Sequence, residues 1–352
     1  MKRLIAVMLA LALLLTACAQ GNADDLMQNV PAKAVDVLPD MDTGAAAAAD
    51  FGVRLFQASV EEGKNTLISP LSVLYALAMT ANGADGNTLA QMEQVMGMET
   101  EELNSFMRAY LDLLPESKVY KLSLANSIWF KDDPRFQVEQ SFLQTNADYY
   151  GADAYKAAFD EATRNDINNW VKEHTDGMIP EILDEIPEDA VMYLVNALAF
   201  DAEWQEIYEA HQVWEGEFCL EDGTPRTVDL MHSEENRYLE DELATGFIKY
   251  YKDKQYAFAA LLPNEGVTVQ EYVDSLTGGH LMKLLSNPEK VTVFATMPKF
   301  ETEYSVEMSE ALMEMGMTDA FDYRVSDFSR LGTYDADGLN ICINRVLHKT
   351  FI

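Results

Sequence analysis

The chain has 352 residues, 48% of them hydrophobic, so it can bury a sizeable core and general disorder is excluded. Its 59 Asp and Glu outnumber 25 Lys and Arg, giving a formal charge of −34 at pH 7. With no basic surface to displace counterions from phosphates, nucleic acid is excluded as a partner, and three cysteines are too few for a disulfide framework.

Residues 1–18 (MKRLIAVMLALALLLTAC) read as a lipoprotein signal peptide. Lys2 and Arg3 form the charged start, and Leu4 to Leu15 form an apolar run too short for an ordinary membrane span. Leu15-Thr16-Ala17-Cys18 resembles the lipobox of bacterial lipoproteins, which implies acylation of the Cys18 thiol and cleavage before it. Two acyl chains hold a protein on a membrane where one does not. A plain signal peptide cleaved near Ala19 is the alternative. The expected location is the extracellular space or the cell surface, lipid-anchored to a bacterial membrane. Residues 19–44 are polar, carry Pro31 and Pro39, and show no sustained periodicity, so they read as a flexible tether.

Residues 45–352 show no repeat and no second linker, and read as one large domain. Residues 45–61 pattern as a helix with Phe51, Leu55 and Phe56 on one face. Ser69-Pro70 is a helix start, a Ser cap followed by Pro at the first position, with Leu71, Leu74, Tyr75 and Ala78 at core spacing. Leu103, Phe106, Met107, Tyr110, Leu111 and Leu114 mark an amphipathic helix. Thr163 and Asp166 sit at capping-box spacing ahead of Ile167, Trp170 and Val171. Strand patterns cover 122–130, 190–200, 256–262 and 291–297. Asp222-Gly223 marks a turn between 214–220 and 227–231. Met308, Ala311, Leu312 and Met315 indicate a late helix stopped near Gly316. Helices early and many strands late favour an α+β fold with antiparallel or mixed sheets.

Asn196 lies inside the apolar run 190–200. A buried amide without partners costs on the order of 1–3 kcal/mol, so it is expected to be hydrogen-bonded. The chain stops at His348-Lys-Thr-Phe-Ile352, a strand-like ending where termini are usually polar and frayed.

No motif for metalloprotease, hydrolase, phosphate-loop or dinucleotide chemistry occurs, and there is no C-x-x-C pair. No catalytic residue, metal or cofactor is therefore expected. His232 with Glu234 and Glu235 is a weak metal fragment, better read as a solvated loop. Met308–Met317 has core spacing and reads as packing. Cys219 and Cys342 can pair or stand as buried free thiols.

These segments fall in an order that resembles the serpin family. Asn65–Val73 (NTLISPLSV) is similar to its helix-B motif, and Ala81–Thr88 (ANGADGNT) to the turn that follows. Leu124–Phe130 (LANSIWF) resembles its second A-sheet strand, and Ile167–Gly177 its helix F. Asn196–Trp204 (NALAFDAEW), Met297–Phe300 (MPKF), Met315–Phe321 (MGMTDAF), Asp327–Ser329 and His348–Ile352 complete the series. The resemblance implies a helix-rich N-terminal half packed on three β-sheets, and inhibition of a target serine or cysteine protease by a monomer. In that mechanism the protease cleaves an exposed reactive loop, and the loop inserts as a new strand into the large sheet. The resemblance also implies roles. Ser69, Ser72, Asn196 and His348 match a polar cluster beneath the parting strands. Trp204 and Lys299 match positions at the top of the sheet, and the glutamate that Lys299 would hold is not in this chain.

Asp201-Ala202 stands where the family has Lys-Gly, and Met178 where Lys is usual. The family's acidic hinge, reactive loop and core-closing strands would lie beyond Ile352. The C-terminal strands and loop are thus expected to be missing, the reactive bond is outside the chain, and this exact chain is expected to fold poorly and not to inhibit. A non-inhibitory serpin-like binding protein at the cell surface is the alternative function.

Overall fold

The computed structural model describes residues 23–61, 63–114, 120–187, 190–220, 222–252, 254–335, 338 and 340–352. The leader with Cys18 lies outside the described residues, as does the Asn196 side chain.

The first described element is strand β1 (Asp24–Asp25). Residues 23–40, part of the expected tether, do not stand free. Val30 is buried, the Lys33 N–H donates to Asp148 at 2.7 Å, and the Leu26 N–H donates to Ala154 O at 2.9 Å. The segment has no periodicity because it is extended chain fastened by tertiary contacts.

Helix α1 (Met41–Ser59) begins where the Asp40 carboxylate accepts the N–H groups of Asp42 and Thr43. Helix α2 (Pro70–Ala81) begins at Ser69, whose hydroxyl accepts the Ser72 N–H, and every residue from Ser72 to Ala81 is buried. It is the central rod of the core, not an amphipathic surface helix. Helix α3 (Gly86–Met96) stops at Gly97 in the left-handed conformation, and α4 (Thr100–Leu113) buries Leu103, Phe106 and Met107.

Strand β2 (Tyr120–Lys131), strand β3 (Phe136–Val138), helix α5 (Gln140–Tyr150) and strand β4 (Asp153–Ala157) lead to helix α6 (Glu161–His174). Asp160 caps α6, so the expected start at Thr163 is corrected. Thr163 Oγ1 instead accepts the Phe159 N–H, and its own N–H donates to Asp160, closing the first turn from both sides. Strand β5 (Met192–Ala202) pairs antiparallel with β2 along its whole length, Tyr120 opposite Ala202 and Phe130 opposite Met192. In this four-stranded sheet, ordered β1-β4-β2-β5, β2 and β4 run parallel. Helix α6 lies on it, with Ile167, Trp170 and Val171 packed against Trp129, Tyr193 and Val195.

Strands β6 (Val213–Cys219) and β7 (Pro225–Glu235) form a hairpin turned at Gly223, whose φ of +79° favours glycine. Strands β8 (Tyr238–Glu240), β9 (Ala244–Tyr250) and β10 (Ala257–Pro263) form a meander, followed by α7 (Val269–Ser275) and α8 (Gly278–Ser286). Strand β11 (Val293–Pro298) joins the hairpin in the order β11-β7-β6. Strand β12 (Glu303–Glu307) precedes α9 (Ser309–Glu314). Met308, Leu312 and Met317 are fully buried, so the methionine-rich stretch is packing. Strand β13 (Gly332–Tyr334) pairs with β3, and β14 (Leu347–Phe351) pairs with β12, Val306 opposite His348.

Candidate functional site

Strand β5 is the last strand of the four-stranded sheet, and β14 belongs to a separate two-stranded ladder. The two border a cleft of about 450 Å³, with Leu198–Asp201 on one side and His348–Thr350 on the other. Ser69 and Ser72, at the start of α2, form its floor, and Met178 and Ile179, just after α6, contribute to its lining.

The floor is a short polar chain. The Ser69 N–H donates to His348 Nε2 at 2.9 Å, and the Ser69 hydroxyl donates to Ser72 Oγ at 2.9 Å. His348 is 6% exposed, and burial pushes its pKa down to about 4. It is therefore neutral at pH 7, and since Nε2 accepts, the ring proton belongs on Nδ1. Beside it, the Thr350 hydroxyl donates to Leu67 O at 2.7 Å, fastening β14 to the segment that enters α2. The backbone of Asn196 sits in β5 opposite Asn126, which is buried. Three of the expected cluster residues, Ser69, Ser72 and His348, are thus brought together under the cleft.

The segment after α6 is held by Asn168, which the sequence reading did not single out. Its Oδ1 accepts the N–H groups of Ile182 and Leu183, both at 2.9 Å, and its Nδ2 donates to Leu183 O at 2.8 Å. The signal was there: a polar residue on the buried face of a helix, between Ile167 and Val171.

Trp204 lies two residues past the end of β5. Its ring stacks on Tyr251 at 4.5 Å and 5°, with Phe258 edge-on at 6.0 Å. The same corner contains Lys249, 2% exposed, whose Nζ meets Glu235 Oε1 at 2.7 Å. Lys299 is exposed, its N–H donates to Asp229 O, and among the described residues its side chain has no partner and no link to Trp204.

His232 is in β7, not in a solvated loop. It stacks on Trp214 at 3.5 Å, and its Nδ1 meets Thr296 Oγ1 at 3.0 Å. Among the described residues no group of His, Cys, Asp and Glu is arranged to hold a metal ion. Cys219 and Cys342 are unbridged, and Cys219 is exposed where a buried thiol was expected. No described helix is long and apolar enough to cross a membrane.

Comparison with known proteins places this architecture. The family model described as Serpin (serine protease inhibitor) matches residues 46–352. Serpin B10 of Sorex araneus is 29% identical over 342 residues, covering 87% of this chain and 83% of its own. A serpin-like protein of Methanosarcina acetivorans is 26% identical, covering 97% and 81%. The thermophilic serpin tengpin in its native state is 47% identical with a TM-score of 0.91, over 94% of this chain and 85% of that one. Tengpin in its latent state superposes with a TM-score of 0.83 over 91% and 86%, at 48% identity. The chain belongs to the serpin family, whose members are typically protease inhibitors.

Proposed function

We propose that the protein serves as an inhibitor of serine- or cysteine-type proteases, working by admission of a cleaved reactive loop as a strand between β5 and β14. The observation that carries this reading is the cleft itself. Two strands border it without pairing, over a floor of exchangeable hydrogen bonds at Ser69, Ser72 and His348. Hydrogen bonds are made and broken discretely, which suits a sheet that must part and re-form.

A larger cleft of about 1020 Å³ adjoins the first, sharing Leu67 and Ile68 with it. That cleft is lined by apolar side chains such as Phe56, Leu71, Leu74, Val273 and Leu281, from α1, α2, α7 and α8. An apolar opening of that size on one molecule normally receives something. The alternative reading, a non-inhibitory binding protein, uses the same opening as a ligand site.

Two preparations test this. The chain as given is expected to capture a synthetic strand peptide, seen as a rise in thermal midpoint. A form carrying a serpin reactive loop and the strands that follow it is expected to form detergent-resistant complexes with a trypsin-, elastase- or papain-like enzyme. Failure of both removes the inhibitor reading. Peptide capture without any trapping favours the binding protein.

Attachment at the cell surface through acylated Cys18 belongs to the same proposal. Cys18→Ser is expected to move the protein from the membrane fraction to the soluble one, and an unchanged distribution would count against the anchor.

A further inference from the structure

The fastening of residues 23–40 to the body shortens any link to Cys18. Strand β1 pairs with β4, Asp24 opposite Lys156 and Asp25 opposite Tyr155. Leu26 and Met27 pack on the core, and Val30 is 5% exposed. Helix α5 holds the next stretch. Gln144 Nε2 donates to Pro31 O at 3.1 Å, and Asp148 Oδ1 accepts from the Lys33 N–H and from Gln144 Nε2, both at 2.7 Å. Asp40 then caps α1. A free tether from Cys18 to Asp40 would average about 26 Å end to end and reach about 75 Å when extended. With the chain fastened from Asp24 onward, Cys18 lies within about 20 Å of β1, whatever path the intervening residues take.

The place where β1 joins decides which part of the molecule such a leash holds. Register carries one row across all four strands: Asp24 is opposite Lys156, Lys156 opposite Phe130, and Phe130 opposite Met192. Met192 is the first residue of β5. The other end of β5, Ala202 opposite Tyr120, lies about 33 Å along the strands, with Trp204 beyond it. The β5 side of the cleft, Leu198–Asp201, falls in that far half. Charge sets the tilt. A body of formal charge −34 is repelled by anionic headgroups, and a repelled body held at one end swings the other end outward.

We propose that the acylated protein stands on an anionic lipid bilayer on a short leash, with the Asp24–Lys156–Phe130–Met192 row at its membrane-facing end and the cleft turned outward. The inference rests on the acylation of Cys18 proposed above and is independent of what the cleft receives.

The test uses the full acylated chain in vesicles of phosphatidylethanolamine and phosphatidylglycerol that carry a rhodamine headgroup as energy acceptor. Donor dyes are placed at Glu161→Cys, just past β4 at the near end, and at Glu206→Cys, just past Trp204 at the far end, both exposed positions. Each is made in a Cys219→Ser background, because Cys219 is itself an exposed thiol, and the background chain alone is the blank for Cys342. Transfer is expected to place the far dye about 30 Å higher above the headgroups than the near one. Two variants free the leash. Val30→Asp puts a carboxylate where an apolar side chain is buried, and is expected to undock the segment and erase most of that difference. A Gly-Ser insert of about 20 residues after Gln20 serves in case Val30→Asp does not fold, and is expected to raise the near dye by roughly 15 Å. Equal heights at the two dyes in the unaltered leash overturn the inference, as does a near dye that the insert does not raise. A chain that takes no acyl group overturns it together with the anchor, while amide exchange at Leu26 and Lys33 in the soluble chain still reports whether the segment is docked.

Discussion

The backbone N–H of Ser69 donates to Nε2 of His348 across 279 residues of chain. This single bond joins the start of the central helix to the strand that borders the cleft. Because a neutral imidazole nitrogen is the acceptor, the bond exists only while His348 stays unprotonated. The floor of the cleft thus includes one group that titrates only as pH falls toward about 4.

The pH dependence follows from the direction of the shift. Burial lowers the His348 pKa from 6.5 to about 4, so the unfolded chain binds the extra proton. This contribution is complete above about pH 6.5 and is lost as pH falls through about 4. Between pH 7.5 and 4.5 it amounts to ~2 kcal/mol. Urea unfolding at both pH values is expected to show a steeper loss for the unaltered chain than for His348→Gln, which keeps an acceptor but does not titrate. Equal pH slopes would show that the imidazole is not held neutral by the fold.

What could be read in advance tracks what is local. Ser69-Pro70 announces α2 because a cap and a fixed φ act within one turn, and the helix begins there. The Asp222-Gly223 turn is legible for the same reason, although β7 runs on to Glu235. Thr163 misled because Asp160, three residues earlier, is the cap: its carboxylate accepts the Thr163 N–H, and the Thr163 hydroxyl turns back to accept the Phe159 N–H. The docking of residues 23–40 rests on contacts with Asp148 and Ala154 more than a hundred residues away, and extended chain carries no period to reveal it. The Lys249–Glu235 pair was hidden by composition. In a chain with 59 carboxylates, one more glutamate beside a strand gives no sign that it is buried. The polar floor was reached through a resemblance, since nothing in the local pattern brings residues 69 and 348 together.

Asn168 concentrates four hydrogen bonds in one amide, the longest from Nδ2 to Glu181 Oε1 at 3.5 Å. Asn168→Ala leaves the N–H groups of Ile182 and Leu183 and the Leu183 carbonyl without partners in a place where Leu183 is buried. Orphaned buried groups cost about 1–3 kcal/mol each when water cannot replace the partner. A loss of roughly 2–4 kcal/mol in unfolding free energy is expected, since partial solvation spares some of that cost. Hydrogen exchange is the sharper readout. The amides of Ile182 and Leu183 are expected to lose protection while those of β2 keep theirs. Uniform protection in the variant would mean that the segment is held by packing alone.

Gly278 and Gly279 make a matched pair in α8. A Cβ on Gly278 would meet the backbone N of Asp50 at 2.3 Å and its Cα at 2.5 Å, whereas a Cβ on Gly279 meets nothing within 4 Å. Backbone cannot swing aside as a side chain does, so Gly278→Ala is expected to push α8 off α1 and cost about 2–3 kcal/mol. Gly279→Ala is expected to be neutral or to gain up to about 1 kcal/mol, because it removes freedom from the unfolded chain without a clash. Thermal melts of the two variants decide the matter. Opposite signs are expected, and similar melting points would show that α8 does not approach α1 this closely.

Thr350 separates the two edges of the cleft most directly. Its hydroxyl donates to Leu67 O at 2.7 Å and so ties β14 to the chain entering α2. Thr350→Val keeps the β-branched shape and removes only the donor, leaving a half-buried carbonyl short of one partner, at a cost of about 1 kcal/mol. The folded ladder with β12 survives, because Tyr304 and Thr350 pair through their backbones. On the proposed function a strand enters between β5 and β14, so a β14 released from Leu67 presents a looser edge. Peptide capture is therefore expected to become several-fold faster in Thr350→Val. Stopped-flow measurement of capture by Thr350→Val and the unaltered chain gives the comparison, and an unchanged or slower rate would show that this hydrogen bond does not hold the cleft closed.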